Sequence, residues 1–365
     1  MQRDARVIVV GAGQAGLGAA YHLRRAGLSA PDDFAVLDRA PAPGGAWQFR
    51  WPTLTFRTVN GIFKLPGLDV PDVPVDTPVS GVVSEYFAEY EKRFDLNVRR
   101  PVSVDSVESL PDGRLRLETS EGPWTAGALI NATGTWERPF WPHYPGRESF
   151  AGRQLHTADY AGPWEFAGKR VIVVGGGISG VQHVMEIHPY AASTTWMTRT
   201  PPRWAEGEFD RRRGAEAVAM VERRVREGLP PQPVVAVTGI PVTPEVREAL
   251  DTGVLDRRPV FTEIVPEGVV LADGTVLEAD VILWATGFRP VIDHLGPLRL
   301  RGPRGGIALA GTQADADERI QLVGYGPSAS TVGANRASRS AVRRALAVSS
   351  QNASNRRRAP APDRV

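Results

Sequence analysis

Two glycine-rich turns of one design predict an α/β protein of two Rossmann-like dinucleotide-binding domains, one inserted in the other. The turns are Gly11-Ala12-Gly13-Gln14-Ala15-Gly16 and Gly175-Gly176-Gly177-Ile178-Ser179-Gly180. Each directly follows a β-branched run, Val7-Ile8-Val9-Val10 and Val171-Ile172-Val173-Val174, long enough for a buried parallel strand. In that strand-turn-helix setting, backbone N–H groups can meet a pyrophosphate at a helix start. At 365 residues the chain also exceeds the usual single core of about 250–300 residues, which leaves room for two modules.

After the first turn, Leu17, Ala20, Tyr21 and Leu23 recur on one helical face, and Gly27 supplies a stop before the run Phe34-Ala35-Val36-Leu37. That completes a first β-α-β unit. Residues 41–82 are rich in Pro, Gly and Trp with little periodicity, and read as an ordered loop that covers a ligand. A helix over 84–93 places Tyr86, Phe87, Tyr90 and Phe94 on one side. Strands are expected at 98–107, 115–119 and 129–130, with Pro111-Asp112-Gly113 as a hairpin turn. The stretch 136–163, with its Pro and Trp residues, fits a connection between domains. A second β-α-β unit fills 170–197, and its module ends at Val281-Ile282-Leu283-Trp284. From Gly287 the chain returns to complete the first domain, with a helix near 338–348. The expected domains are thus 1–162 with 288–348, and 163–287, followed by a disordered tail over 349–365.

Composition narrows the function classes. Lys and Arg total 43 against 41 Asp and Glu, so a net charge of +2 gives no general reason to expect nucleic acid or a membrane as partner. There is no cysteine, which excludes disulfides, thiolate metal ligands and any dithiol redox centre. The histidines at 22, 143, 183, 188 and 294 show no metal-ligand spacing, and no metal site is expected. The first apolar run breaks at Gly11 and reads as strand one, not an export signal. No stretch approaches the ~20 apolar residues of a membrane span. A soluble cytoplasmic protein is expected, its oligomeric state open between monomer and homodimer.

The residue ending the second strand of such a unit faces the adenosine ribose, and here the two units differ. In the first it is Asp38, whose carboxylate can accept hydrogen bonds from a free ribose, as in FAD or NAD. In the second, Thr195-Trp196-Met197-Thr198 leads to Arg199 and Thr200, where a guanidinium can bind a 2′-phosphate in bidentate fashion. NADPH would suit it. A strand-ending carboxylate and a solvated arginine are the plain alternatives. Ser179 has Val181 where a G-x-S-x-G nucleophile elbow needs glycine, so it reads as a turn residue. Trp51, Trp136 and Trp141 read as packing. A helix starting near Thr331 would aim its free N–H groups at a flavin pyrimidine edge, or is an ordinary helix start.

The segment Phe150-Ala151-Gly152-Arg153-Gln154-Leu155-His156-Thr157-Ala158-Asp159-Tyr160 resembles the F-x-G-x-x-x-H-x-x-x-(F/Y/W) fingerprint of the flavin-containing monooxygenases. Gly44-Gly45-Ala46-Trp47, Asn131-Ala132-Thr133-Gly134 and Ala285-Thr286-Gly287-Phe288-Arg289-Pro290 add to the resemblance, which covers about residues 5 to 345 and is that of a compact bacterial member. It implies FAD on Gly11, Gly13, Gln14, Ala15, Gly16, Asp38 and Arg39, with Gly45, Ala46, Trp47, Thr133 and Gly134 along it. It implies NADPH on Gly175, Gly177, Ser179, Gly180, Arg199 and Thr200, and places Thr286, Gly287 and Thr331 at the cofactors. Asn60, in the loop after Gly44-Gly45-Ala46-Trp47, is the implied catalytic residue, although Asn60-Gly61 is equally a tight turn. His156 is implied to steer NADPH or hold a hinge rather than transfer a proton.

The implied reaction is NADPH-driven oxygenation by O2 of a small soft nucleophile, an amine or a sulfide, through a C4a-hydroperoxyflavin. Baeyer-Villiger oxygenation of ketones is the enzyme alternative, although its longer fingerprint wants Trp-Pro where this chain has Tyr160-Ala161. A flavin- and NADPH-binding oxidase or sensor without oxygen transfer is the alternative from a different class.

Overall fold

The computed structural model describes residues 3–59, 61–206, 211–232, 238–329 and 331–358. Strand β1 (Arg3–Val10), helix α1 (Gln14–Arg25) and strand β2 (Phe34–Leu37) form the first β-α-β unit, with β1 and β2 parallel. Val7 and Val9 enter one hydrophobic core, Ile8 and Val10 another. Both faces of the strand are therefore covered, which is why its sequence is continuously apolar rather than alternating. Helix α2 (Val79–Arg93) begins five residues ahead of the expected 84. Val79 and Val83 extend its aromatic stripe by one i,i+4 step, and both are fully buried.

Strands β3 (Val98–Arg99), β4 (Val104–Ser109), β5 (Leu115–Thr119) and β6 (Trp124–Asn131) follow. The β4–β5 pair is antiparallel across the 111–113 turn, and β6 lies parallel to β1. Next come β7 (Arg153–His156), β8 (Arg170–Val174), α3 (Ile178–Ile187), β9 (Ser193–Thr198), α4 (Arg211–Arg226), α5 (Pro244–Asp251), β10 (Arg257–Pro259) and β11 (Val281–Trp284). The chain closes with β12 (Leu309–Ala310), β13 (Gln313–Ala314), β14 (Asp317–Leu322) and α6 (Thr331–Arg358). The first sheet runs β12-β13-β14-β6-β1-β2-β3, so the last strands return beside β6 as the sequence requires. The second sheet, β10-β9-β8-β11-β7, is parallel throughout.

Two boundaries differ from the sequence reading. Strand β7 is the edge of the second sheet, with Leu155 opposite Leu283, so that sheet begins at Arg153 and not at 163. A four-residue strand within a Pro- and Trp-containing segment is too short to show periodicity. At the other end, α6 continues to Arg358 where a helix end at 348 and a disordered tail were expected. Ser349 is buried, and the Arg6 guanidinium donates to its hydroxyl at 3.1 Å. That anchor lies far from the helix in sequence, which no local pattern reports. Helix α4 of the inserted module also reaches back, since Val225 packs in the core of the first module and the Gly306 N–H donates to the Gly228 carbonyl.

Candidate active site

The two turns are built alike. Gly11 and Gly175 have φ of +96° and +148°, and a Cβ on them would meet the carbonyls of Ala132 and Ala285 at 2.6 and 2.1 Å. Only glycine fits such a combination of left-handed backbone and close approach. Gly16 and Gly180 pack against the carbonyls of Gly11 and Gly175 in the same way. Gly13 and Gly177 are the N-caps of α1 and α3, have open space where a side chain would project, and provide no side-chain cap. The first N–H groups of both helices are thus left for an external acceptor, the arrangement that takes a phosphate. Ser179 lies in the first turn of α3.

Around the first turn, Gln14 uses its side-chain amide to hold the Phe63 carbonyl and Asn335 of α6, while Ser338 donates to the Ala15 carbonyl. Thus the start of α1, the segment at 63–64 and α6 are joined. Gly45, Ala46 and Trp47 form a 3-10 turn laid against Gly13, where a Cβ on Gly45 would stand 2.8 Å from the Gly13 Cα. Thr331 begins α6, as expected. Asn60 lies outside the described residues.

Asp38 ends β2 nearly buried, with one carboxylate oxygen accepting from Arg100 Nε and Nη2 at 3.2 and 3.1 Å. Arg100 also grips Glu91. Sequence reading missed Arg100, because its partner is 62 positions away. Arg39 points outward and pairs with Glu137. In the second module Arg199 is exposed at the end of β9 and makes no ion pair among the described residues. The hydroxyl of Thr198 donates to the Thr200 carbonyl, and Arg257 donates to both oxygens of Thr198. Arg257, also missed from sequence, therefore fixes the loop that carries Arg199.

The two chain crossings between modules are tied together. Thr133 donates to the Val291 carbonyl and Thr286 to the Phe140 carbonyl, while the Gly134 carbonyl accepts from Val291 N–H. His156 is fully buried, accepts from the Ala158 N–H through Nδ1, and meets the Gly287 carbonyl through Nε2 at 3.0 Å. Burial holds its pKa below the ordinary value, so it stays neutral with Nε2 as donor. Both nitrogens are occupied in joining the fingerprint to the second crossing. Phe150 fills a core with Met197 and Trp284, and a Cβ on Gly152 would strike the Asp280 carbonyl at 2.4 Å. Tyr160 donates to Glu186 of α3 at 2.8 Å.

Glu186 also accepts from Thr53 at 2.9 Å, and Gln182, one turn earlier, donates to the Thr58 carbonyl. The loop before Asn60 is thereby attached to the helix that starts at the second glycine turn. Burial pushes the Glu186 carboxyl upward, against the hydrogen bonds from Tyr160 and Thr53. Neighbouring Trp51 packs on Tyr160 and His183. Arg50 adjoins this network, in which Trp51 Nε1 and His183 Nδ1 are likewise buried without a partner. Its Nε is buried without a hydrogen-bond partner and its guanidinium lies 4.2 Å from the Trp136 ring centre. Ring contacts of this kind contribute about 2 kcal/mol or more when desolvated, against the several kcal/mol that fully desolvating a cation costs.

Residues 8–227 match the pyridine nucleotide-disulphide oxidoreductase family. Over 95% of its length and 99% of the other, the chain superposes on a flavin-containing monooxygenase from Stenotrophomonas maltophilia with TM-score 0.80 and 37% identity. A Baeyer-Villiger monooxygenase of Streptomyces coelicolor is 32% identical over 234 residues, which are 62% of this chain and 42% of that longer protein. A probable indole-3-pyruvate monooxygenase, YUCCA3 of Arabidopsis thaliana, is 27% identical over 323 residues, covering 77% of this chain and 72% of the plant protein. With two glycine turns, the intervening fingerprint and no cysteine pair, the chain belongs to the flavin-containing monooxygenases within that broader oxidoreductase family.

Proposed function

We propose that the chain binds FAD on the first module and NADPH on the second, and transfers one oxygen atom of O2 to an amine nitrogen or a sulfide sulfur. The observation that carries this reading is the pair of uncapped helix starts at Gly13 and Gly177, in modules whose strand ends bear opposite charges, Asp38 and Arg199. Open space over both glycines and the buried, partnerless Nε of Arg50 fit groups that bring phosphates. When bound, NADPH supplies hydride and FAD supplies the oxygen-activating ring.

The protein's own residues bind, orient and exclude water. Asp38, held by Arg100, presents its second carboxylate oxygen to a ribose hydroxyl, and Arg199 meets a 2′-phosphate. Glu186 and Gln182 hold the 51–59 loop against α3, so that this loop shields the seam between the modules. His156 keeps the crossings in register and moves no proton. Asn60, two positions beyond Thr58 in the sequence, is the candidate for a hydrogen bond to the reacting flavin edge.

Ketone oxygenation is the second reading, favoured by the 32% identity to a Baeyer-Villiger enzyme. Purified full-length protein is assayed with NADPH, O2 and a tertiary amine, a thioether or a cyclic ketone. Equimolar N-oxide or sulfoxide per NADPH is expected. Lactone from the ketone alone would replace the first reading with the second, and hydrogen peroxide in place of any product would overturn oxygen transfer.

A further inference from the structure

We propose that Arg50 is an anion-binding residue that takes a phosphate group of a bound dinucleotide at the seam between the modules. Four observations place it there. It follows directly on the 3-10 turn that lies against Gly13 of the first glycine turn. Its guanidinium stacks on Trp136, just beyond the first chain crossing, and lies 5.6 Å from the Trp47 ring centre. Trp136 in turn stacks on Phe288 of the second crossing, centroids 4.8 Å apart and planes inclined by 25°. Its Nε is buried with no hydrogen-bond partner, and no carboxylate of the described residues pairs with it.

Other largely buried arginines of the molecule are matched by carboxylates. Arg100 has Asp38 and Glu91, and Arg319 has Asp317. Burial lowers the Arg50 pKa to about 10, which leaves it protonated at neutral pH. Arg50 is half-buried with its Nε shut off from solvent and without a partner, an unmet donor that a bound anion would complete. A planar guanidinium held between two indole rings has its donor edge fixed in direction, the property that suits a phosphate oxygen better than a lysine would. Doubly wound sheets bind ligands outside the carboxyl ends of their strands. The turn that precedes Arg50 lies against Gly13, and Trp136, on which Arg50 stacks, follows the end of β6 by five residues.

The inference rests on the proposed binding of FAD and NADPH, and the two are separable by experiment. Full-length protein, wild type, Arg50→Met and Arg50→Lys, is tested for FAD release by the rise of free-flavin fluorescence on dilution, and for NADP⁺ by titration. Arg50→Met is expected to weaken one of the two dinucleotides by about 10- to 100-fold, the effect of a lost hydrogen bond to a charged group. Which of them weakens identifies the phosphate. Arg50→Lys restores part of the loss, since the charge remains while the planar fork does not. Thermal melting gives a second readout: without added dinucleotide Arg50→Met melts no lower than wild type, and the upshift by the affected dinucleotide shrinks. Unchanged affinity for both, or a lower melting temperature with both affinities intact, would overturn the proposal and make Arg50 a packing residue. Wild-type protein that binds neither dinucleotide would instead overturn the functional reading beneath it.

Discussion

At the scale of single residues, the fingerprint proves to be structural chemistry. Phe150 fills a core, Gly152 permits a carbonyl to approach, His156 joins two crossings through both ring nitrogens, and Tyr160 docks on Glu186. Both nitrogens of His156 are engaged in hydrogen bonds within the protein, to the Gly287 carbonyl and the Ala158 N–H. Arg199 presents the opposite case. It is exposed, carries no ion pair among the described residues, and stands at the end of β9 on a loop pinned by Arg257. A guanidinium left free at that strand end can read a 2′-phosphate. Arg199→Ala should therefore cost about 1.5–3 kcal/mol of NADPH binding while NADH changes little. Comparing the two dissociation constants in wild type and variant tests this, and equal losses for both coenzymes would show that Arg199 reads no phosphate. Arg203, four residues on, is the neighbour most able to blunt the loss.

At the scale of elements, the attachment of the 51–59 loop to α3 has a measurable energy. The Tyr160 and Thr53 hydroxyls converge on the same Glu186 oxygen, so removing that acceptor leaves two partly buried donors unsatisfied. Each such donor costs about 1–3 kcal/mol. Glu186→Leu should lower unfolding free energy by roughly 2–4 kcal/mol. Glu186→Gln retains an amide oxygen in the same place and should lose about 1 kcal/mol or less. Urea unfolding of the two variants decides the point, and equal destabilisation would mean that the loop is held by Trp51 packing and not by the carboxyl group. This network was illegible in the sequence. Thr53, Tyr160 and Glu186 come from a loop, a fingerprint and a helix, and nothing in local spacing connects them. The glycine turns were legible because most of their chemistry is local: strand, helix start and the packing of the third glycine on the carbonyl of the first lie within ten residues, while only the carbonyls of Ala132 and Ala285 come from afar. Strand β7 failed for the reverse reason, since it is defined by pairing with β11 across the whole inserted module.

At the scale of the molecule, the alternation of apolar runs and glycine turns was enough to give two sheets built on parallel β-α-β units, the first completed by antiparallel strands. What it could not give was how the modules hold each other, because that depends on groups buried only after both have folded. Three of those groups are histidines. His156, His183 and His294 are all buried, and burial lowers each pKa, to about 3 for His183 and about 4 for His294. The unfolded chain takes up protons on these rings below about pH 6.5, whereas the folded protein does not until far lower. Their contribution to stability is therefore complete above pH 6.5 and is lost as pH falls toward the folded values. Glu186 acts with the opposite sign, because its raised carboxyl pKa makes the folded state take up a proton first. One carboxyl offsets part of three imidazoles, so the net effect is destabilisation on acidification. Between pH 7 and 5 each of His183 and His294 should cost on the order of 2 kcal/mol. His294 donates through Nε2 to the side-chain oxygen of Asn131 at 2.7 Å, and Asn131 ends β6 beside the first crossing. His294→Gln keeps a hydrogen-bond donor for Asn131 but cannot titrate. Its unfolding free energy, measured in urea at pH 7, 6 and 5, should fall less steeply than that of wild type, by about 1 kcal/mol per pH unit averaged over the window. Parallel slopes for wild type and variant would show that His294 titrates alike in the folded and unfolded chains and that burial there does not hold the ring neutral.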